Sequence, residues 1–368
     1  MKNVCIVLRS DKNALFSSKF LTVADVFASN GYIFREIRIF YQSDEKEVLA
    51  ALTEVKASCE NVLLLCEKSF LLNAKNYITS VFPSGIYQGG VNGAGIYADK
   101  DASWFLLSAD DSDTGIQFAK NVCVPFLHKR YNSRFERYVI RTVGANEAHI
   151  EQLILRAKTF AKKDIAYNHV RDHGQDILEI LYNANAPKSL IDDTIRLFVD
   201  GLGDCIYALE DISLEEQLVR LLKLRGRKLS VAESFTGGGI ARRIVSVSGA
   251  SQVFFEGLNT YDELAKIKRL GVSEYTLKTM GAVSDQTAYE MATGLLNTGN
   301  CDISIATTGL AGPKTDRSML PVGVCFISVG VKDRVFVYRY KFDGSREEII
   351  ETAINYALFL AYKQLKNI

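Results

Sequence analysis

Three consecutive glycines stand directly behind a serine and a threonine in Glu233-Ser234-Phe235-Thr236-Gly237-Gly238-Gly239, the segment of this chain best suited to chemistry. Glycine loses more backbone freedom on folding than any other residue, so such a run implies a sharp bend or a close approach by another group. KLSVAES reads as a strand and the stretch from the glycines through IARRIVSV as a helix, which puts the bend at a strand-to-helix junction. A helix N-terminus there offers free N–H groups and the positive end of a dipole to a phosphate or a developing oxyanion. Ser234 is then a candidate nucleophile. The plainer local reading is that Ser234 or Thr236 caps the helix while the glycines let strand and helix pack closely.

A nucleophilic serine needs a base, and all four histidines (His128, His149, His169 and His173) lie upstream of the segment that carries Ser234. A histidine triad within that segment is excluded. What remains is a carboxylate, or a lysine whose pKa is lowered by burial or by a neighbouring cation. In TYDELAKIKRLG, Lys266 sits beside apolar Leu264, Ile267 and Leu270, whereas Lys268 and Arg269 read as solvated. The competing role for Lys266 is a surface ion pair with Asp262 at i,i+4. A second glycine-rich turn, Thr307-Thr308-Gly309-Leu310-Ala311-Gly312-Pro313, follows the apolar strand DISIA. Strand ends of this kind commonly line a ligand cleft, and equally often Gly and Pro there make only a tight turn. Phe342-Asp343-Gly344-Ser345-Arg346-Glu347 caps the last helix and offers Arg346 as an anion fork.

The elements that must position these residues fall into three segments. Residues 1–129 alternate β-rich runs (VCIVLRS, IFREIRIFY, NVLLLCEK) with helical ones (FLTVADVFASNGY, EKEVLAALTEVKASC), the order of a parallel sheet with crossover helices. GIYADK and WFLLSA add strands, and Pro125 with the basic stretch HKRYNSRFER marks a boundary near residue 130. Residues 130–208 read as a small α+β connector: YVIRTVG, then the helical EAHIEQLILRAKTFA, DILEILYNANA, the helical IDDTIRLFVDGLG, and DCIYA. Residues 209–368 open with an amphipathic helix, LEEQLVRLLKLRG, and continue as α/β with a mixed sheet that ends in a helix from Arg346 onward.

Composition bounds the function classes. A chain of 368 residues exceeds what one core usually supports, so several domains are expected. Lys and Arg number 44 against 43 Asp and Glu, so no global field draws the protein to nucleic acid or to an anionic membrane. The seven cysteines are scattered, without CxxC spacing, and read as buried thiols in a reducing compartment. The apolar run at the start is too short for a signal segment and no run of 18 apolar residues occurs, so a cytoplasmic protein without a membrane span is expected.

In their order, AESFTGG, GLNTYDELAKIKRLGV, GAVSDQTAYEMATG, TTGLAGP, PVG and FDGSRE resemble the C-terminal domain of the CinA family, a nicotinamide mononucleotide deamidase of the PncC type, over residues 209–368. VIRTVGANEAHIEQLI and IDDTIRLFVDGLGDCIYALE are similar to the family's connecting module. The resemblance implies an α/β chain: a molybdopterin-binding-like three-layer domain, the connector, and the amidohydrolase domain. It places the nucleophile on Ser234 and the base on Lys266, with Tyr261 nearby, and lines the pocket with Thr236, Gly237, Gly238, Thr308, Gly309, Ala311 and Gly312. Glycine N–H groups near Gly237 would hold the oxyanion, and Arg346 would face the anionic part of the substrate. The implied reaction converts nicotinamide mononucleotide to nicotinic acid mononucleotide and ammonia, with no metal or cofactor, in a homodimer.

The chain departs from the family pattern in places. Asp262 and Glu263 replace the usual serine and asparagine and would repel a phosphate that they faced. Phe235 stands where a cysteine is common, and the loop 314–320 replaces an Asp-Gly-Gly stretch. In the first domain LRSDKNALF and CEKSFLLNAKN stand where the family has its GTELL and glycine-rich phosphate motifs, which argues against pyrophosphatase activity. Asp110, Asp111 and Asp113 form an acidic cluster that reads as a solvated loop rather than a cation site. Two alternatives stay open: a catalytically impaired nucleotide-binding or interaction scaffold, and a residual N-terminal hydrolase of ADP-ribose.

Overall fold

Strand and helix alternate through the first hundred residues of the computed structural model, which describes residues 2–10, 19–90, 93–108, 112–132, 134–161, 165–313, 320–332 and 334–367. In order they are β1 (Asn3–Arg9), α1 (Lys19–Ala28), β2 (Glu36–Tyr41), α2 (Glu45–Ser58), β3 (Asn61–Cys66), α3 (Leu71–Val81), β4 (Ile86–Tyr87), β5 (Gly95–Ala98) and β6 (Ser103–Ser108). They form one six-stranded sheet, β2-β1-β3-β6-β5-β4. Pairing is parallel from β2 to β6 and antiparallel at β5 and β4. The middle strands are buried throughout because helices cover both faces. Ile6, Leu8, Val62 and Leu64 face α2 and α3 through Val48, Leu52, Leu71 and Ile78. Cys5, Val7, Leu63 and Leu65 face the other side, against Val23, Phe27, Ala119 and Leu127.

One feature of this region differs from the sequence reading. The stretch around Pro125 is helical: α4 (Ser112–Phe118) continues through a π-helical turn at Ala119–Cys123 into α5 (Val124–Tyr131). Proline lacks the N–H that would bond back one turn, and the wider turn lies immediately before it. The helix ends at Asn132, in the left-handed region at φ 44°. Asp110 and Asp111 lie outside the described residues, and Asp113 sits in the first turn of α4.

The chain divides into two units: Met1–Arg137 with Lys162–Ala166 and Ile180–Ile191, and Tyr138–Ala161 with Tyr167–Glu179 and Asp192–Ile368. After α5 the chain forms β7 (Phe135–Val143), α6 (Glu147–Ala161), β8 (Ile165–Asp172), β9 (Gln175–Asn183), α7 (Lys188–Leu202) and β10 (Ile206–Ala208), with strand order β10-β7-β9-β8. After α8 (Leu214–Arg225) come β11 (Leu229–Glu233), α9 (Gly239–Val245), β12 (Phe254–Asn259), α10 (Glu263–Leu270), α11 (Glu274–Thr279), α12 (Asp285–Asn297), β13 (Ile303–Gly309), β14 (Val324–Val331), β15 (Arg334–Lys341) and α13 (Arg346–Lys366).

The last sheet, β12-β11-β13-β14-β15, is mixed: β11 pairs parallel with β12 and β13, and β14 runs antiparallel to β13 and β15. Its core joins Leu229, Val231, Ile303, Ile305, Ile327 and Val329 to Leu218 and Leu222 of α8 and to Ala357, Leu358 and Ala361 of α13. Capping boxes start α8 at Ser213 with Glu216 and α13 at Ser345 with Glu348. The chain is therefore mixed α/β, with three sheets and helices between their strands. No helix among the described residues is long and apolar enough to cross a membrane.

Candidate active site

Strand register assembles the site. Glu233, the last residue of β11, lies opposite Asn259 on β12 and Thr307 on β13. The residues that follow, Ser234, Thr260 and Thr308, therefore share one edge, the C-terminal end of the parallel strands where ligand clefts form. Ser234 is 8% exposed, and its backbone N–H donates to Thr307 O at 3.1 Å.

Lys266 reaches this edge from α10. Its side chain is only 1% exposed, and Nζ donates to Ser234 Oγ at 3.1 Å, to Thr260 O at 2.7 Å and to Tyr261 O at 3.2 Å. The surface ion pair does not form: Asp262 instead caps α10, its carboxylate accepting from Leu264 N at 2.8 Å. Burial pushes the Lys266 pKa below its usual 10.5, against smaller upward contributions from Glu263 and Asp262. An amine has three hydrogens when charged and two with a lone pair when neutral. In its neutral form, with two hydrogens held by the fixed carbonyls, the amine would have its lone pair left for Ser234 Oγ. That is the arrangement a general base needs.

The bend itself is held by a carboxylate. Glu233 is 1% exposed and accepts from Gly238 N (3.1 Å), Ile240 N (3.1 Å) and Ala241 N (2.9 Å), satisfying the orphan donors at the start of α9. Gly237 and Gly238 have φ of 60° and 94°, and open space faces both, so backbone conformation alone requires glycine there. These glycine amides do not form the expected oxyanion hole. Gly237 N–H donates to Ser234 O, Gly238 N–H to Glu233, and Gly239 N–H to Thr236 O. The two amides at the bend with no partner among the described residues belong to Phe235 and Thr236.

The other expected lining residues have partners within the protein. The Thr236 and Thr307 hydroxyls share a 2.7 Å hydrogen bond, and Thr308 Oγ1 donates to Ala282 O at 2.6 Å, so neither Thr236 nor Thr308 presents a free hydroxyl. Gly309 abuts Cys325, and Ala311 packs with Phe235, Cys325, Ile349 and Ala353, which accounts for the apolar Phe235. Tyr261 supplies its carbonyl, while the residue as a whole is 63% exposed. Arg346 is exposed and donates through Nη1 to Gly312 O at 2.7 Å, tying the start of α13 to the second glycine-rich turn. Glu263 lines a cavity of about 880 Å³ with Lys278, Ala282, Leu320, Phe326 and Arg339. Residues 314–319 of the altered loop lie outside the described residues.

Sequence reasoning missed Glu233, Thr260 and Thr307. A carboxylate just ahead of a glycine run that opens a helix is a legible sign for the first. The other two contribute through pairings that only the folded sheet creates. Among the described residues no group of three or more His, Cys, Asp or Glu side chains is placed to hold a metal ion.

Comparison with known proteins matches residues 211–365 to the model of the CinA C-terminal domain. A competence-damage inducible protein of Caldicellulosiruptor saccharolyticus is 38% identical over 66% of this chain and 60% of its own length. Another from Thermoanaerobacter pseudethanolicus is 30% identical over 80% of this chain and 72% of its own. The chain belongs to the CinA family. It spans only 58% to 62% of the length of the first three curated relatives it matches. Among solved structures, a CinA superfamily protein from Klebsiella pneumoniae is 30% identical, covering 42% of this chain and 97% of its own, at a TM-score of 0.41.

Proposed function

We propose that the CinA domain of this chain is a serine amidohydrolase that converts nicotinamide mononucleotide to nicotinic acid mononucleotide and ammonia. The observation that carries the reading is the buried Lys266 amine, 3.1 Å from Ser234 Oγ and held otherwise by carbonyls, not carboxylates. Lys266 takes the hydroxyl proton as Ser234 Oγ attacks the carboxamide carbon. The N–H groups of Phe235 and Thr236 face the oxyanion at the bend. The protonated lysine then gives its proton to the departing nitrogen, ammonia leaves, and an ester joins the substrate to Ser234. Water attacks that ester while Lys266 accepts its proton, and the acid is released as the serine is restored. Arg346, fixed at the second glycine-rich turn, binds the phosphate.

The seven thiols, none of them in a disulfide, fit a reducing compartment. The test is ammonia release from nicotinamide mononucleotide by the purified chain. Ser234→Ala and Lys266→Ala should each lose roughly 1,000-fold or more in kcat, as when one member of a catalytic unit is removed. Turnover at the parent rate in either variant overturns the assignment.

A further inference from the structure

The turn between β8 and β9 lies far in sequence from Ser234, yet its side chains and carbonyls end on the two helices that frame the bend. Asn355 of α13, 3% exposed, is the junction. Its Nδ2 donates to His173 O at 2.9 Å, and its Oδ1 accepts from Gln175 Nε2 at 2.7 Å and from Arg243 Nη1. Arg243 belongs to α9, the helix that begins at the glycine bend, and its Nη2 also donates to Glu215 of α8 at 2.5 Å. At the other end Tyr207 OH donates to Gln175 Oε1 at 3.0 Å. Gly174 approaches α13 so closely that a Cβ there would stand 2.9 Å from the Tyr356 ring, and the Gly144 amide donates to Gly174 O at 2.9 Å.

A connected chain thus runs from the hairpin turn through Asn355 to the nucleophile's helix. Each member is partnered on both sides, the condition under which a buried polar network fixes one geometry. α9 is only two turns long: Glu233 holds its start, Ile240 and Ile244 sit in the core, and Arg243 joins its last turn to Asn355 and Glu215. We propose that the β8–β9 hairpin positions the nucleophile, with Asn355 and Gln175 as positioning residues that act through Arg243. The kinetic part of this inference rests on the amidohydrolase reading; the structural part does not.

The experiment uses the full chain with Asn355→Leu, Gln175→Leu and the double substitution, compared by thermal melting, by hydrogen exchange of residues 234–245 and by ammonia release. The expected result is faster exchange in 234–245 than elsewhere in the domain, with kcat lowered roughly 10- to 100-fold at little change in KM. The double variant should lose no more than the worse single one, because both cut the same path. Uniformly faster exchange with a lowered melting temperature overturns the proposal, since the residues are then merely structural. Unchanged exchange in 234–245 overturns it as well. Local exchange that rises in a chain whose parent form releases no ammonia upholds the positioning role and sinks the amidohydrolase reading alone.

Discussion

Replacing Lys266 by methionine removes the amine while keeping a flexible side chain of similar volume, and its effect on stability can be worked from the contacts. Two acceptors, Thr260 O and Tyr261 O, lose their donor, at about 1 kcal/mol each. Against this, the buried lysine sits below its usual pKa of 10.5, so the folded state resists the charged form. At pH below the folded pKa both states are protonated and the parent carries the whole penalty, about 1.4 kcal/mol for each pH unit of depression. Between the folded pKa and 10.5 the unfolded chain binds more protons than the native one, so parent stability rises with pH across that window. Lys266→Met should abolish that rise. It should be least harmful at low pH, within about 2 kcal/mol of the parent at neutral pH, and without ammonia release. Urea unfolding of both proteins at a series of pH values measures this. A loss of roughly 3–5 kcal/mol at every pH is the mark of a broken buried ion pair and would refute the neutral amine.

Four further outcomes are expected. Glu233→Gln leaves one oxygen for three amides, so the urea midpoint should fall by the equivalent of roughly 1–3 kcal/mol, with activity lowered as the bend loosens. Tyr261→Phe should leave ammonia release nearly unchanged because the residue contributes its carbonyl, and a loss of about 100-fold would give its hydroxyl a proton-transfer role. Arg346→Gln should raise KM for nicotinamide mononucleotide about 10- to 100-fold with kcat little altered, and should not affect the ribonucleoside that lacks phosphate. Asp262→Asn keeps an oxygen for the Leu264 amide but removes a charge that raises the Lys266 pKa, so the rising limb of the pH–rate profile should move to lower pH.

Much of the fold was legible because period and punctuation agreed. Strands β1, β3 and β6 are largely apolar runs, as a sheet covered on both faces demands, while Gly226 ends α8 in the left-handed conformation and the Ser345 side chain caps α13. What misled was local ambiguity. Pro125 is a breaker by itself, but a π-turn just before it lets the helix run on. Within the candidate site, the position of the histidines left a lysine or a carboxylate as base for Ser234, and the family resemblance pointed to Lys266. Their partners were not legible. Thr236 meets Thr307 across 71 residues and Arg243 meets Asn355 across 112, distances over which no sequence period operates.

On the amidohydrolase reading, the choice of partners for Lys266 also explains how a base can stand so near carboxylates in sequence. An aspartate four residues before a lysine on a helix invites an ion pair, and such a pair would hold the ammonium form and leave no lone pair for Ser234. Here Asp262 stands at the cap position, where the Leu264 amide takes its oxygen. The lysine stem runs inward, and backbone carbonyls at the end of β12 receive the amine. Carbonyls orient the nitrogen as a carboxylate would, but bind its extra proton far less strongly. The same four-residue spacing that reads as a surface pair can thus yield a base, provided the helix begins where the aspartate caps it and the strand before it ends beside the serine.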